Sequence, residues 1–285
     1  MPTPASGDSA PAEAEGSSRA GRNLPVAILI GLVLAGLVLG SLFFVEWLFI
    51  VLMAGGLSIG AIELIGAMKT KGIKVQTIPV VLAISASCGV AYYWGNEAFV
   101  LVVGISWLLL VALRLVEGPD GFVRDSAATI LTYTYLGVFG AFAALMLAQT
   151  HGPQRIVIMI ALVVCNDVGG YAVGILAGKH PIAPKLSPKK SWEGFVGSVI
   201  LAAGIGAWLV VWLVDGKWWQ GVVLGFAIAI SATFGDFVES AIKRDLGVKD
   251  LGSKLPGHGG FMDRLDSQIP SAFVSYILLF AFVGA

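Results

Sequence analysis

The sequence predicts an all-α, polytopic integral membrane protein, and three observations carry that prediction. Hydrophobic residues make up 57% of the 285 positions and charged ones only 13%, about half the charged share of a soluble domain. The apolar residues fall in runs long enough to cross a bilayer as helices, which takes about 20 residues each. Lys and Arg gather in alternate connections between those runs. Net charge is zero, so bulk charge gives no argument for nucleic acid, and the distribution of charge is what informs. Cys88 and Cys165 lie inside apolar runs and read as small core residues, with no CxxC pair for a metal.

Taken in order, residues 1–24 are rich in Ala, Ser, Gly, Pro and Glu without apolar periodicity, and read as a disordered cytoplasmic tail. The run 25–44 follows Arg19 and Arg22 but lacks a convincing small-x-small cleavage site, so an uncleaved helix is expected. Further spans are expected at 46–66, 76–94, 97–113, 126–149, 155–177, 194–214, 218–242 and 267–284, about nine in all. With the N-terminus inside, the cytoplasmic segments are 1–24, 67–75, 114–125, 178–193 and 243–266. These hold 2, 3, 2, 4 and 5 Lys or Arg, 16 of the chain's 18, and leave only Arg155 and Lys217 outside. That asymmetry predicts a cytoplasmic N-terminus and an outside C-terminus in the cell membrane. The 37 glycines suit close helix contact. No inverted repeat of the transporter kind is visible, and residues 25–285 read as a single transmembrane domain.

Three places put polar groups where lipid-facing helices should have none. Asn166-Asp167 falls in the middle of the sixth span, followed by Gly169, Gly170, Tyr171 and Gly174. An aspartate there must face a cavity, a cation or a partner; a paired structural Asp is the plainer alternative. Next comes the loop Lys179 to Gly194, stiffened by three prolines. Ser191 and Glu193 lead into the seventh span like a helix N-terminus, so exposed amides with Lys189 and Lys190 would cradle phosphate. It is not a Walker loop, and cytoplasmic lysines also arise from topology alone.

The third place, Gly235 to Asp266, organises the chain. Asp236, Glu239, Ser240 and Lys243 share one helical face by their spacing, and Asp263 and Asp266 do so again if helical. Two carboxylate-bearing helix ends joined by a Gly-rich loop can converge on a divalent cation, and Mg²⁺ favours carboxylates, water and substrate phosphates. Lys243, Arg244, Lys249 and Arg264 would neutralise phosphate oxygens. Around His258, Gly257, Gly259 and Gly260 let backbone approach a ligand closely. His258 offers an acid, a base or a donor, although a lone loop histidine is more often simply solvated.

The pattern Ser240-x-Ile242-Lys243-Arg244-x4-Lys249-Asp250-x-Gly252-x2-Leu255-Pro256-x-His258-Gly259-Gly260-Phe261-x-Asp263-Arg264-Leu265-Asp266 resembles the signature of the phosphatidate cytidylyltransferase (CDP-diacylglycerol synthase) family. Ser187-Pro188-Lys189-Lys190-Ser191-Trp192-Glu193-Gly194 and Asn166-Asp167 are also similar to that family, with Ser191 where Thr is common. The resemblance covers about 160–270, the expected active-site half; the N-terminal spans match in hydropathy only.

It implies a membrane enzyme, often a homodimer, with a cytoplasm-facing site entered from the lipid. The reaction implied is CTP plus phosphatidate giving CDP-diacylglycerol and pyrophosphate, a step of phospholipid biosynthesis. Mg²⁺ is the implied cofactor, with a second cation such as K⁺. By resemblance Asp236 and Asp263 lead as metal ligands, then Asp167 and Asp266. Asp236, Lys243, Arg244, His258, Asp263 and Arg264 are the implied catalytic set. Asn166, Asp167, Ser187, Lys189, Lys190, Ser191, Lys249, Gly259 and Gly260 are the implied substrate contacts. Such transfer needs positioning and charge neutralisation more than covalent help from protein, and the acceptor phosphate is already ionised, which lowers the expectation for His258 as a base.

Other readings are a CTP-dependent lipid kinase, which would release CDP rather than pyrophosphate, and a transporter of an anionic phosphorylated solute. A scaffold with an inactive site is a third. The D-G-x2-A-R-x8-G-x3-D-x3-D pattern of CDP-alcohol phosphotransferases is absent.

Overall fold

A computed structural model describes residues 24–252 and 260–284. The expected tail, His258 and Gly259 therefore lie outside the described residues, except that helix α1 (Leu24–Phe44) begins at the tail's last position. There follow α2 (Glu46–Thr70), α3 (Thr77–Leu115), α4 (Phe122–Thr132), a π-helical stretch (Tyr133–Val138), α5 (Phe139–Leu147) and α6 (Gly152–Ala177). A two-stranded antiparallel hairpin, β1 (Pro181–Ala183) and β2 (Ser187–Ser191), leads to α7 (Trp192–Val214), α8 (Trp218–Leu246), α9 (Met262–Leu265) and α10 (Gln268–Val283). The fold is all-α apart from that hairpin, which forms where only a stiffened loop was expected.

Among the described residues seven helical stretches are long and apolar enough to span a membrane. The count differs from nine for two reasons. Only Gly31–Phe44 of α1 enters this count, as a shorter apolar helix. The expected spans 76–94 and 97–113 both belong to α3, whose 39 residues would reach about 58 Å if straight. They do not run straight. Gly95 takes φ 72° and ψ −161°, a conformation open chiefly to glycine, and the element doubles back there. Its ends meet: Gln76 Nε2 donates to Glu117 Oε1 at 2.8 Å. Two antiparallel arms thus stand where two spans were expected.

The core lies between α2, α3, α5, α6, α8 and α10, with Leu64, Ile84, Leu136, Met146, Ile156, Leu224 and Ile228 fully enclosed. Apolar side chains that face outward, such as Leu101, Ile105 and Leu108 of α3, suit a helix bathed in lipid. At the meeting ends of α3, Arg114 and Asp125 are 3.0 Å apart and each 1% exposed. Arg114 also donates to the carbonyls of Gly118 and Asp120 at 3.0 and 2.6 Å. Asp125 accepts from the backbone N–H of Lys74 at 3.2 Å. Both connections beside α3 are thereby fastened to one buried ion pair.

Helices α6, α7 and α8 pack differently. A Cβ on Gly169 would lie 2.7 Å from the carbonyl oxygen of Gly197, and one on Gly197 would lie 2.8 Å from that of Gly169. Gly221 meets the Gly206 carbonyl and Gly225 the Ala202 carbonyl still more closely. Backbones touch because side chains are missing, as in small-residue membrane interfaces. This three-helix unit and the N-terminus of α10 carry most of the polar cluster.

Candidate active site

Helix α8 runs four residues beyond its expected span, to Leu246, which keeps Asp236, Glu239 and Lys243 on one continuous face. Lys243 Nζ lies 2.7 Å from Glu239 Oε2 and 2.6 Å from Asp263 Oδ1. Asp263, at the start of α9, also accepts from the Gly260 N–H at 2.9 Å through Oδ2. Glu239 in addition lies against the carboxyls of Asp263 and Asp266. One turn further on, Ser267 joins the remaining carboxylates: its N–H donates to Asp266 Oδ1 at 2.7 Å and its hydroxyl to Asp236 Oδ1 at 2.5 Å. Gly235 makes this possible, since any Cβ there would collide with the Asp266 carbonyl.

The hairpin delivers the second lysine. Side chains alternate along a strand, so Lys189 is exposed while its neighbour Lys190 is half-buried and ion-paired with Asp236. Burial pushes the Lys190 ammonium down to about 8, against the opposing pull of Asp266, Asp167 and Glu239. Lys190 Nζ also stands 5.4 Å from the centre of the Phe237 ring. Ser191 caps α7 as its position suggested, accepting the Gly194 N–H at 3.1 Å. Glu193 fastens the hairpin's start, accepting from the N–H groups of Lys179 and His180 at 3.1 and 3.2 Å and meeting His180 Nδ1 at 2.5 Å.

Asn166 and Asp167 complete the cluster from α6. Asn166 is buried and donates to Asp167 Oδ1 at 3.1 Å, and the Ser198 hydroxyl of α7 donates to the Asn166 carbonyl at 2.6 Å. Asp167 itself is exposed, part-way along an apolar helix, near enough to Lys190 and Arg264 for their charges to act on it.

The structure thus brings Asn166, Asp167, Lys190, Asp236, Lys243, Asp263 and Asp266 together, with Ser191 and Gly260 at the rim. Arg244 and Lys249 are exposed, and Ser187 and Lys189 sit further out on β2. Three groups that the motif reading left out of its site also belong here: Glu239, Ser267 and Glu63 of α2. Glu239 shares the face already identified. Glu63 is 5% exposed and accepts the Met262 N–H at 3.1 Å through Oε2. A carboxylate inside the second apolar span was itself a signal.

Among the described residues no three His, Cys, Asp or Glu side chains form a ready metal cage. A cavity of ≈380 Å³ lies elsewhere, lined by His151, Arg155, Asp215 and Lys217 at the far ends of α6 and α7, and none of the predicted site residues borders it.

The chain is similar to known proteins along most of its length. The model of the cytidylyltransferase family matches residues 25–282. The phosphatidate cytidylyltransferase of Mycobacterium leprae is 37% identical over 279 residues, covering 92% of this chain and 89% of its own. That of Mycobacterium tuberculosis H37Rv is 36% identical over 278 residues, covering 92% and 84%. The Helicobacter pylori 26695 enzyme of the same name is 40% identical over 151 residues, covering 53% and 56%. With the match extending from α1 into α10, the chain belongs to the cytidylyltransferase family.

Proposed function

We propose that this chain is a nucleotidyltransferase that moves the CMP unit of CTP onto phosphatidate, giving CDP-diacylglycerol and pyrophosphate. The observation that carries this reading is the placement, inside a chain similar over 92% of its length to phosphatidate cytidylyltransferases, of four carboxylates around two lysines. A phosphatidate oxygen attacks the α-phosphorus of CTP, and the bond from that phosphorus to the β-phosphate oxygen breaks. Both reactants are anions, so the site's task is to bring them together and offset charge that builds on the leaving pyrophosphate. Lys190 and Lys243 supply fixed positive charge. At the α7 N-terminus the Trp192 and Gly194 N–H groups are taken by the His180 carbonyl and the Ser191 side chain, so the lysines rather than these amides would meet phosphate oxygens. Asp167, exposed on an apolar helix, is where a headgroup would approach while its acyl chains stay in lipid.

A divalent cation fits the residues present. Asp236, Glu239, Asp263 and Asp266 outnumber the two lysines among them, and Glu239 Oε1 is buried without a hydrogen-bond partner. An all-oxygen donor set suits Mg²⁺, which takes one or two carboxylates and completes its shell with water and substrate phosphates. Asp236 and Asp263 would hold it, with Asp167 and Asp266 beside them, and its positive charge would polarise the phosphates when bound. A K⁺-like second cation, a homodimer and a cytoplasm-facing site in the cell membrane belong to the same reading. Its orientation rests on the distribution of Lys and Arg.

Purified protein in detergent–lipid micelles, given phosphatidate, labelled CTP and Mg²⁺, tests it. Equal yields of labelled lipid and pyrophosphate, both lost with EDTA, are expected. CDP release without labelled lipid would identify a kinase instead, and absence of turnover in every lipid and metal condition would sink the reading.

A further inference from the structure

Helix α2 places Gly56, Gly60 and Glu63 four and three residues apart, on one face. A Cβ on Gly56 would lie 3.9 Å from the Phe261 ring, and one on Gly60 would lie 3.7 Å from Met262 Cα and 3.6 Å from Leu265 Cδ1. The turn that carries Asp263 therefore rests directly on α2, and Glu63 is the polar group at that contact. Its carboxylate is wedged between two glycines. A Cβ on Gly252 would collide with Glu63 Cδ, and one on Gly260 would lie 2.8 Å from Glu63 Oε2 and 2.9 Å from Asp263 Oδ2. Two short bonds then fix one turn from both sides: Glu63 holds the Met262 N–H and Asp263 holds the Gly260 N–H. Glu63 Oε1 is buried without a hydrogen-bond partner, and Glu63 has no ion pair among the described residues. What it does in the structure is accept a backbone N–H two residues from the turn's other anchor.

We infer that Glu63 is a positioning residue for the transfer reaction. Through the Met262 N–H it sets the backbone from Gly260 to Asp263, and so the direction in which Asp263 meets Lys243 and the reacting phosphates. The role belongs to the accepting oxygen rather than to the negative charge. Displacing a reacting group by about 1 Å costs on the order of 10²-fold, so a slack turn should slow chemistry while leaving nucleotide binding nearly intact.

This rests on the cytidylyltransferase reading, so wild-type turnover is measured first; its absence would indict that reading and not the role of Glu63. With active wild type, full-length Glu63→Ala and Glu63→Gln are compared in the same micelles, alongside melting temperature and elution profile. Glu63→Ala is expected to lower kcat by about 10- to 100-fold, with KM for CTP within about twofold. Glu63→Gln, which keeps an oxygen for the Met262 N–H, is expected to hold kcat within about threefold. Should Glu63→Ala not fold, Gly252→Ala drives a methyl into the carboxylate and is expected to show the same fall in kcat at unchanged KM. The inference is overturned if Glu63→Gln loses as much as Glu63→Ala, since charge would then be what matters. It is equally overturned if the loss appears in KM alone, or if both variants turn over like wild type.

Discussion

The two halves of the bundle are held together by opposite means. From α2 to α5, large side chains interlock and a buried Arg114–Asp125 pair fastens the connections. The tight glycines of that half, Gly137 and Gly140, meet the side chains of Tyr133 and Leu57. From α6 to α8, backbone lies on backbone through Gly169, Gly197, Gly206, Gly221 and Gly225. Side chains can shift rotamer to absorb an error, whereas two touching backbones cannot. The half that must hold Asp167, Lys190 and Asp236 within reach of one another is the half built without that freedom, as precise sites require rigid support.

Four substitutions sharpen or break this contrast. Asp125→Ala strands Arg114 in the core and should cost about 3–5 kcal/mol, as breaking a buried pair from one side does; a chemical or thermal unfolding curve in detergent reads it. Catalysis per folded molecule should survive, because this pair is a fastening and not part of the polar cluster. Asp263→Asn should do the reverse, lowering kcat by about 10²–10³-fold, or about 2.7–4 kcal/mol, at a nearly unchanged melting temperature. Gly225→Ala presses a methyl into the Ala202 carbonyl and should destabilise by about 1–3 kcal/mol, with activity falling alongside. The smallest effect is expected from Gly104→Ala. A Cβ there meets nothing within 4 Å, so the better helix former should be neutral or stabilise by up to about 1 kcal/mol. If Gly225→Ala proved as harmless as Gly104→Ala, the proposed difference between the halves would be wrong.

Much of this was readable before any coordinates. The spans followed from hydropathy, the shared face of Asp236, Glu239 and Lys243 from the helical repeat, and the Ser191 cap from its place before α7. What escaped depended on distant pairing. Ser267 looks like the unremarkable start of an apolar run until α10 docks beside Asp236. The Gly95 reversal did not escape: it falls in the break expected between 76–94 and 97–113, where Gly95-Asn96-Glu97 interrupts the apolar run. Apart from Glu46 at the very start, Glu63 is the one charged residue of the expected span 46–66, with no motif around it. Only the contact across 199 positions with Met262 gives it a role, although an isolated acid in an apolar helix was reason enough to ask.

Asp167 has one more consequence. Counted along α6 it lies about 15 Å in from the Ala177 end, and it is exposed. An ionisable group at that depth draws water inward and thins the bilayer around it. The surface of the membrane should then dip toward the protein at this point. A phospholipid drifting into the depression would bring its phosphate down to the carboxylates without leaving its leaflet. The membrane itself would be shaped into part of the approach.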